Sequence, residues 1–255
     1  MSREQDITRC IVREFNDRFL DASSMDVAVV GAGPSGLTAA RYLAEAGLEV
    51  CVFERKLSPG GGMWGGGMNF PVIVVEEDST TILDEVGIRY HERDGYYLAD
   101  AIEATAKIIA GAADAGARVF NAMTVEDVMA TEEKICGVVV NWTGVLMSGM
   151  HVDPLSLEAR AVVDGTGHPS EVCRIVESKL GLRTPSGHVE GEKCMWADEG
   201  ERLTVEHAGE VYPGLYTTGM ASNAVMGSPR MGPIFGGMLR SGKKVADMIL
   251  DELQG

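Results

Sequence analysis

Residues 27–54 read VAVVGAGPSGLTAARYLAEAGLEVCVFE: an apolar strand, a glycine turn, a helix and a second strand that ends on an acid. This is the dinucleotide-binding arrangement. Gly31 permits the tight turn after the strand, Gly33 lets backbone approach a pyrophosphate, and Gly36 lets the helix pack closely on the sheet. The helix start offers free N–H groups and the positive end of its dipole to phosphate oxygens, and Ser35 can add its hydroxyl or N–H. Glu54, at the tip of the second strand, can accept hydrogen bonds from both ribose hydroxyls of an adenosine. Its charge disfavours a 2′-phosphate, an argument that the neighbouring Arg55 weakens.

Composition narrows the class. With 255 residues, 45% of them hydrophobic, the chain can bury a full core. One dinucleotide-binding domain over 1–255 is expected, with an N-terminal helix and a smaller inserted β-rich region. A formal net charge of −16 argues against nucleic acid as a partner, which needs a basic surface, but allows an anionic nucleotide held locally. The apolar runs are too short to span a bilayer and the charged start MSREQDITRCIVREF is no signal peptide. A cytoplasmic protein without a membrane partner is therefore expected. Cys10, Cys51, Cys136, Cys173 and Cys194 are scattered with no CxxC pair, which suits a reducing compartment and argues against disulfides or a thiolate zinc site.

Outward from the nucleotide unit, residues 4–20 carry apolar positions at helical spacing and predict a packing or subunit-contact helix. After Glu54 comes KLSPGGGMWGGGMNFP, too rich in glycine for a regular element. It reads as a linker or as a loop covering the cofactor; Met63, Trp64, Met68 and Phe70 are poor linker residues and favour the covering loop, Gly62 within it. Val125 falls where a strand should return beside the nucleotide, as a backbone contact to adenine or as a core valine. The run TEEK at 131–134 reads as a hairpin tip and DEGERL at 198–203 as a solvated turn. His91, His188 and His207 read as solvated surface histidines. A long C-terminal helix is expected to begin near Gly232 or Pro233.

The pieces resemble the flavoprotein-like (GR2-type) dinucleotide-binding fold, α/β with a central parallel sheet. The ordered set GAGPSG at 31–36, ER at 54–55, the GGG-MWGGGM loop, MHVDP at 150–154, GTGH at 165–168, GM at 219–220 and RMGPIFGGM at 230–238 tightens this. Together, over nearly the whole chain, these motifs are similar to those of the thiamine thiazole synthases (Thi4-type). The resemblance implies that NAD is a substrate: it loses nicotinamide, and its ADP-ribose part is condensed with glycine and sulfur into an adenylated thiazole carboxylate. It also implies a closed homo-oligomer, an octamer in the family, with active sites shared between subunits.

One branch of that family sacrifices the sulfur of a cysteine placed before x-D-P. Here that position is His151, so the chain resembles the branch that takes free sulfide and turns over repeatedly. Cys173, near His168, is expected to be a small buried residue rather than a donor. Asp153 and His168 match the family's Fe(II) ligands, an oxygen and nitrogen set that suits ferrous iron; their spacing alone fits no short metal motif. His151 and Val152 would then border the site, and an imidazole there can relay protons or simply withhold a sulfur. Arg230 reads as a bidentate clamp for the glycine carboxylate or as half of a surface salt bridge, although no acid stands beside it. Met220, in the TGM turn, is expected against the nucleotide. An FAD-dependent oxidoreductase of the same fold is the alternative, and a non-catalytic NAD sensor a third reading; flavin absorbance or product formation separates them.

Overall fold

The computed structural model describes residues 2–131 and 134–255; Glu132 and Glu133, within the expected hairpin tip, lie outside the described residues. Helix α1 (Arg3–Asp21) comes first, capped by the Ser2 hydroxyl, which accepts the Gln5 N–H. Strand β1 (Ser24–Val30), helix α2 (Pro34–Glu45) and strand β2 (Val50–Glu54) form the nucleotide-type unit, with Val27–Val30 of β1 running parallel beside Val50–Phe53. Pro34 opens α2, where a missing N–H costs nothing.

Strands β3 (Val72–Val75), β4 (Tyr90–Arg93) and β5 (Tyr96–Asp100), with helix α3 (Thr80–Glu85) between β3 and β4, make a separate three-stranded antiparallel sheet. Helix α4 (Ala101–Asp114) returns the chain to β6 (Arg118–Asn121), parallel to β2. Strands β7 (Met123–Ala130) and β8 (Ile135–Trp142) pair antiparallel, helix α5 (Thr143–Ser148) follows, and β9 (Leu155–Asp164) enters the main sheet beside β1. Helices α6 (Glu171–Lys179) and α7 (Ala197–Glu206), strands β10 (Gly209–Tyr212) and β11 (Leu215–Thr217), and helices α8 (Met220–Met226) and α9 (Gly236–Gln254) complete the chain.

The main sheet runs β10-β11-β9-β1-β2-β6, with β8 joined to β9 and β7 to β8. Strands β11, β9, β1, β2 and β6 are parallel, and their register brings Thr217, Asp164, Val30, Glu54 and Asn121 to the same carboxyl edge. Successive β1 residues face opposite sides: Val27 and Val29 join one buried cluster with α2, α4 and α9, while Ala28 and Val30 join another with β7, β8 and α6. The fold is the flavoprotein-like dinucleotide-binding α/β class.

Two expectations are corrected. Helix α9 starts at Gly236, later than Gly232 or Pro233, because Ile234 bridges Val74 and the Phe235 N–H donates to the Val74 carbonyl (2.9 Å), holding this segment along β3 first. Residues 198–203 are not a solvated turn but part of α7, with the Glu201 side chain buried against the α9 N-terminus.

Candidate active site

A cleft of about 800 Å³ opens at the carboxyl edge of the parallel strands, where doubly wound sheets place their ligands. Its floor is the Gly31–Gly33 turn. Gly31 has φ +96°, and a Cβ there would sit 2.5 Å from the Gly165 carbonyl oxygen, so only glycine fits between β1 and the turn after β9. A Cβ on Gly36 would collide with the Gly31 carbonyl, which is why α2 can start so close to the strand. Gly33 caps α2 without any side-chain bond, leaving the first-turn N–H groups facing the cleft.

Glu54 lines the cleft with both oxygens engaged by backbone: Oε2 accepts the Ala32 N–H (2.9 Å) and Oε1 the Lys56 N–H (2.8 Å). Each carboxylate oxygen keeps a second lone pair for a ribose hydroxyl. Arg55 also lines the cleft and is ion-paired with Glu171. Ser35, buried in the first turn of α2, faces the Gly219 turn, and Met220 borders the cleft just beyond it. Val125 is both core and cleft wall: it is buried in the β7 face and lines the cavity.

The glycine loop is a wall of this cleft. Gly61, Gly62, Met63, Gly66, Gly67, Met68 and Phe70 all line it. A Cβ on Gly61 would come within 3.1 Å of the Gly33 Cα, so the loop lies directly over the Gly31–Gly33 turn. Met63, 1% exposed, and the bond from Trp64 Nε1 to the Pro59 carbonyl (2.8 Å) anchor it.

The opposite wall is the turn after β9. Buried Asp164 shapes it, accepting the Thr166 N–H (3.0 Å) and hydroxyl (2.7 Å) and the Cys173 N–H (2.9 Å). His168 projects into the cleft from this turn, with Nδ1 2.7 Å from Glu192 Oε1. Arg230 lines the far end, solvent-exposed, and its side chain makes no hydrogen bond or ion pair among the described residues.

Three comparisons bear on this arrangement. The Thi4 family model matches residues 8–235. The chain belongs to the Thi4 family. It is 56% identical to the thiamine thiazole synthase of Methanothermobacter thermautotrophicus over 97% of both chains, and 55% identical to that of Methanococcoides burtonii over 98% of both. The crystal structure of Thermovibrio ammonificans THI4 superposes with a TM-score of 0.98 at 49% identity, covering all of both chains. Full-length agreement with thiazole synthases sets aside the oxidoreductase reading.

Within this Thi4 chain, the residues expected around iron do not all line the cleft. His168 is in the cleft, but His151, Val152 and Asp153 are exposed on the segment between α5 and β9 and do not line it. Among the described residues no cluster of three or more His, Cys, Asp or Glu side chains is placed to hold a metal. The exposed segment is flanked by apolar surface: Met147, Met150, Leu155 and Trp142 all stand in solvent.

No cysteine lines the cleft among the described residues. Cys173 is fully buried, and desolvation beside the Asp164 carboxylate pushes its thiol well up, as expected for an inert core residue. Burial likewise pushes Cys51 up to about 11. His207 differs from expectation: it is half-buried and bonded through Nδ1 to the Ser228 hydroxyl (2.7 Å). Sequence reasoning missed Asp164 and Glu192. A strand-end acid before GTG is a signal for the first; nothing in the local sequence marks the second.

Proposed function

We propose that this Thi4 chain is a thiamine thiazole synthase of the sulfide-using branch, converting NAD, glycine and free sulfide to the adenylated thiazole carboxylate with release of nicotinamide. The observation that carries this is the donor position. His151 stands where a sacrificial cysteine would, and no cysteine lines the cleft among the described residues, which supports a sulfur supplied from solution.

The assignments follow the cleft walls. The diphosphate lies at the α2 N-terminus between Gly31, Gly33 and Ser35, under the Gly62 loop, with Gly36 allowing the close helix start. Glu54 accepts the adenosine ribose hydroxyls, Arg55 borders them, and Val125 and Met220 pack against the nucleotide. Arg230, unpaired among the described residues and with a planar guanidinium, receives the glycine carboxylate.

The donor set fits ferrous iron. His168 has Glu192 behind Nδ1, which fixes the ring and leaves Nε2 as a ligand, and Asp153 supplies the oxygen donor. Fe(II) bound by these two residues would supply Lewis acidity and open coordination positions for a sulfide. Because Asp153 is outside its own cleft, we assign it to the cleft of a neighbouring subunit in a homo-oligomer. The exposed apolar surface around Met147, Met150 and Leu155 supports a contact there. His151, adjacent to Asp153, would relay protons in the same site. The compartment proposed is the cytoplasm, where the five free thiols stay reduced.

The test is turnover with NAD, glycine, Fe(II) and sulfide, followed by product formation and intact-protein mass. Many products per chain and an unchanged polypeptide mass are expected. Product capped at one per chain, with a cysteine converted to dehydroalanine, would overturn the sulfide reading.

A further inference from the structure

Outside the cleft, the least expected group is Glu201. The residue is 2% exposed although it lies in a stretch as polar as DEGERL. Carboxylates are rarely buried without a task. Its Oε1 accepts the Gly237 N–H in the first turn of α9, a helix with no acid of its own in that turn and no side-chain cap. Its Oε2 is buried without a hydrogen-bond partner among the described residues, as is Nε of Arg240.

Helix α7, which carries Glu201, holds both ends of the segment that leads from Arg230 to α9. At the near end, a Cβ on Gly200 would lie 2.8 Å from the Met231 N and Cα, so the helix rests directly on the backbone just after Arg230. The Trp196 N–H donates to the Arg230 carbonyl (3.0 Å), and Asn223 Nδ2, bonded to Thr204 (2.8 Å), reaches the Pro229 carbonyl (3.2 Å). At the far end, Gly236 and Gly237 leave no room for any Cβ beside the Glu201 carboxyl. Between these ends, Gly232, Pro233 and Phe235 line the cleft. Arg230 itself has no side-chain partner among the described residues, so its direction depends on how its backbone is held.

We propose that Glu201 is a positioning residue: its bond to α9, together with the Phe235 N–H to Val74 carbonyl bond, fixes the far end of the 230–235 strap and thereby where Arg230 meets the substrate carboxylate. This rests on the reading of Arg230 as the carboxylate clamp. The charges around Glu201 come from three elements. Arg240 of α9 lies 3.6 Å from Oε1 and is also ion-paired with Asp78; Glu76 and Asp78 belong to the segment after β3; Asp198, Arg202 and Glu206 belong to α7 itself. Ser79 packs on the same Gly236 backbone.

Desolvation dominates over the bond from Gly237 and the charge of Arg240, pushing the carboxyl up to about 7. Its folded value is above the unfolded one, so its contribution is complete below about 4.5 and is lost as pH rises through about 7.

The experiment compares Glu201→Gln, which keeps an acceptor oxygen without charge, with Glu201→Ala. Hydrogen–deuterium exchange over residues 230–238 reads the strap directly, whatever Arg230 binds. We expect about tenfold faster exchange and about tenfold higher KM for glycine in Glu201→Ala, with the KM for NAD unchanged, and restoration of both by Glu201→Gln. Between about pH 5 and 8 the parent should lose more thermal stability than Glu201→Gln. Unchanged exchange in Glu201→Ala, or acceleration spread evenly over the whole chain, overturns the proposal. If Arg230→Lys leaves glycine dependence unchanged, the clamp assignment fails instead, and the exchange result still decides the role of Glu201.

Discussion

Arg230 and Glu54 show how differently two charged residues can stand in one cleft. Glu54 is buried and already occupied by the Ala32 and Lys56 amides, so it builds the Gly31–Gly33 turn as well as lining the cleft. Arg230 is exposed and unpaired among the described residues, so its side chain is available to a ligand and contributes little to the fold. Replacing Arg230 by Lys keeps the charge but loses the planar fork, and should raise the glycine requirement by roughly 10- to 150-fold while NAD binding barely changes. Glycine titration at saturating NAD and sulfide checks this. An equal loss of NAD affinity would assign Arg230 to the nucleotide.

At the level of elements, the β1-turn-α2-β2 unit depends on backbone contacts that no side chain can replace. Gly36→Ala would drive a methyl into the Gly31 carbonyl, between two backbones that cannot separate without moving α2 off the sheet. We expect a loss of about 1–3 kcal/mol or more by denaturant unfolding, together with weakened NAD binding. Unfolding and binding equal to those of the parent would mean that the helix can shift. This unit was fully legible in the sequence because its signals are local: the glycine spacing, the alternating apolar strand and the acid at the strand tip all fall within residues 27–54. Helix α7 was not. Its buried carboxylate reads as a polar turn until α9, distant in sequence, is seen to offer it an amide. The start of α9 was misjudged for the same reason, since the strap's pairing with Val74 is a tertiary contact invisible to periodicity. The site was legible in the same uneven way. Gly31, Gly33, Ser35, Val125, Met220, His168 and Arg230 converge on one cleft, whereas His151 and Asp153 do not.

For the whole molecule, that separation is the informative fact. If Asp153 and His168 are both ligands, a chain that folded its complete site alone would place both in one cleft, yet residues 151–153 lie on an exposed apolar edge while His168 lies in the cleft. Helix α1 repeats the pattern: Phe15 and Phe19 pack on Phe120, but Ile7, Ile11 and Val12 face outward and no residue of the helix is buried. Apolar area left in solvent on two elements is what an assembling subunit presents. If Asp153 of one subunit completes the His168 site of another, Asp153→Ala and His168→Ala should each abolish iron-dependent thiazole formation while leaving nucleotide binding intact. Oligomers assembled from a mixture of the two inactive variants would then contain some sites built from an intact Asp153 and an intact His168, and activity should reappear. Assays of each variant alone and of the dissociated and reassembled mixture read this directly. A mixture that stays inactive, although mixed oligomers form, would place both ligands in one chain and require the 149–154 segment to fold into its own cleft when iron binds.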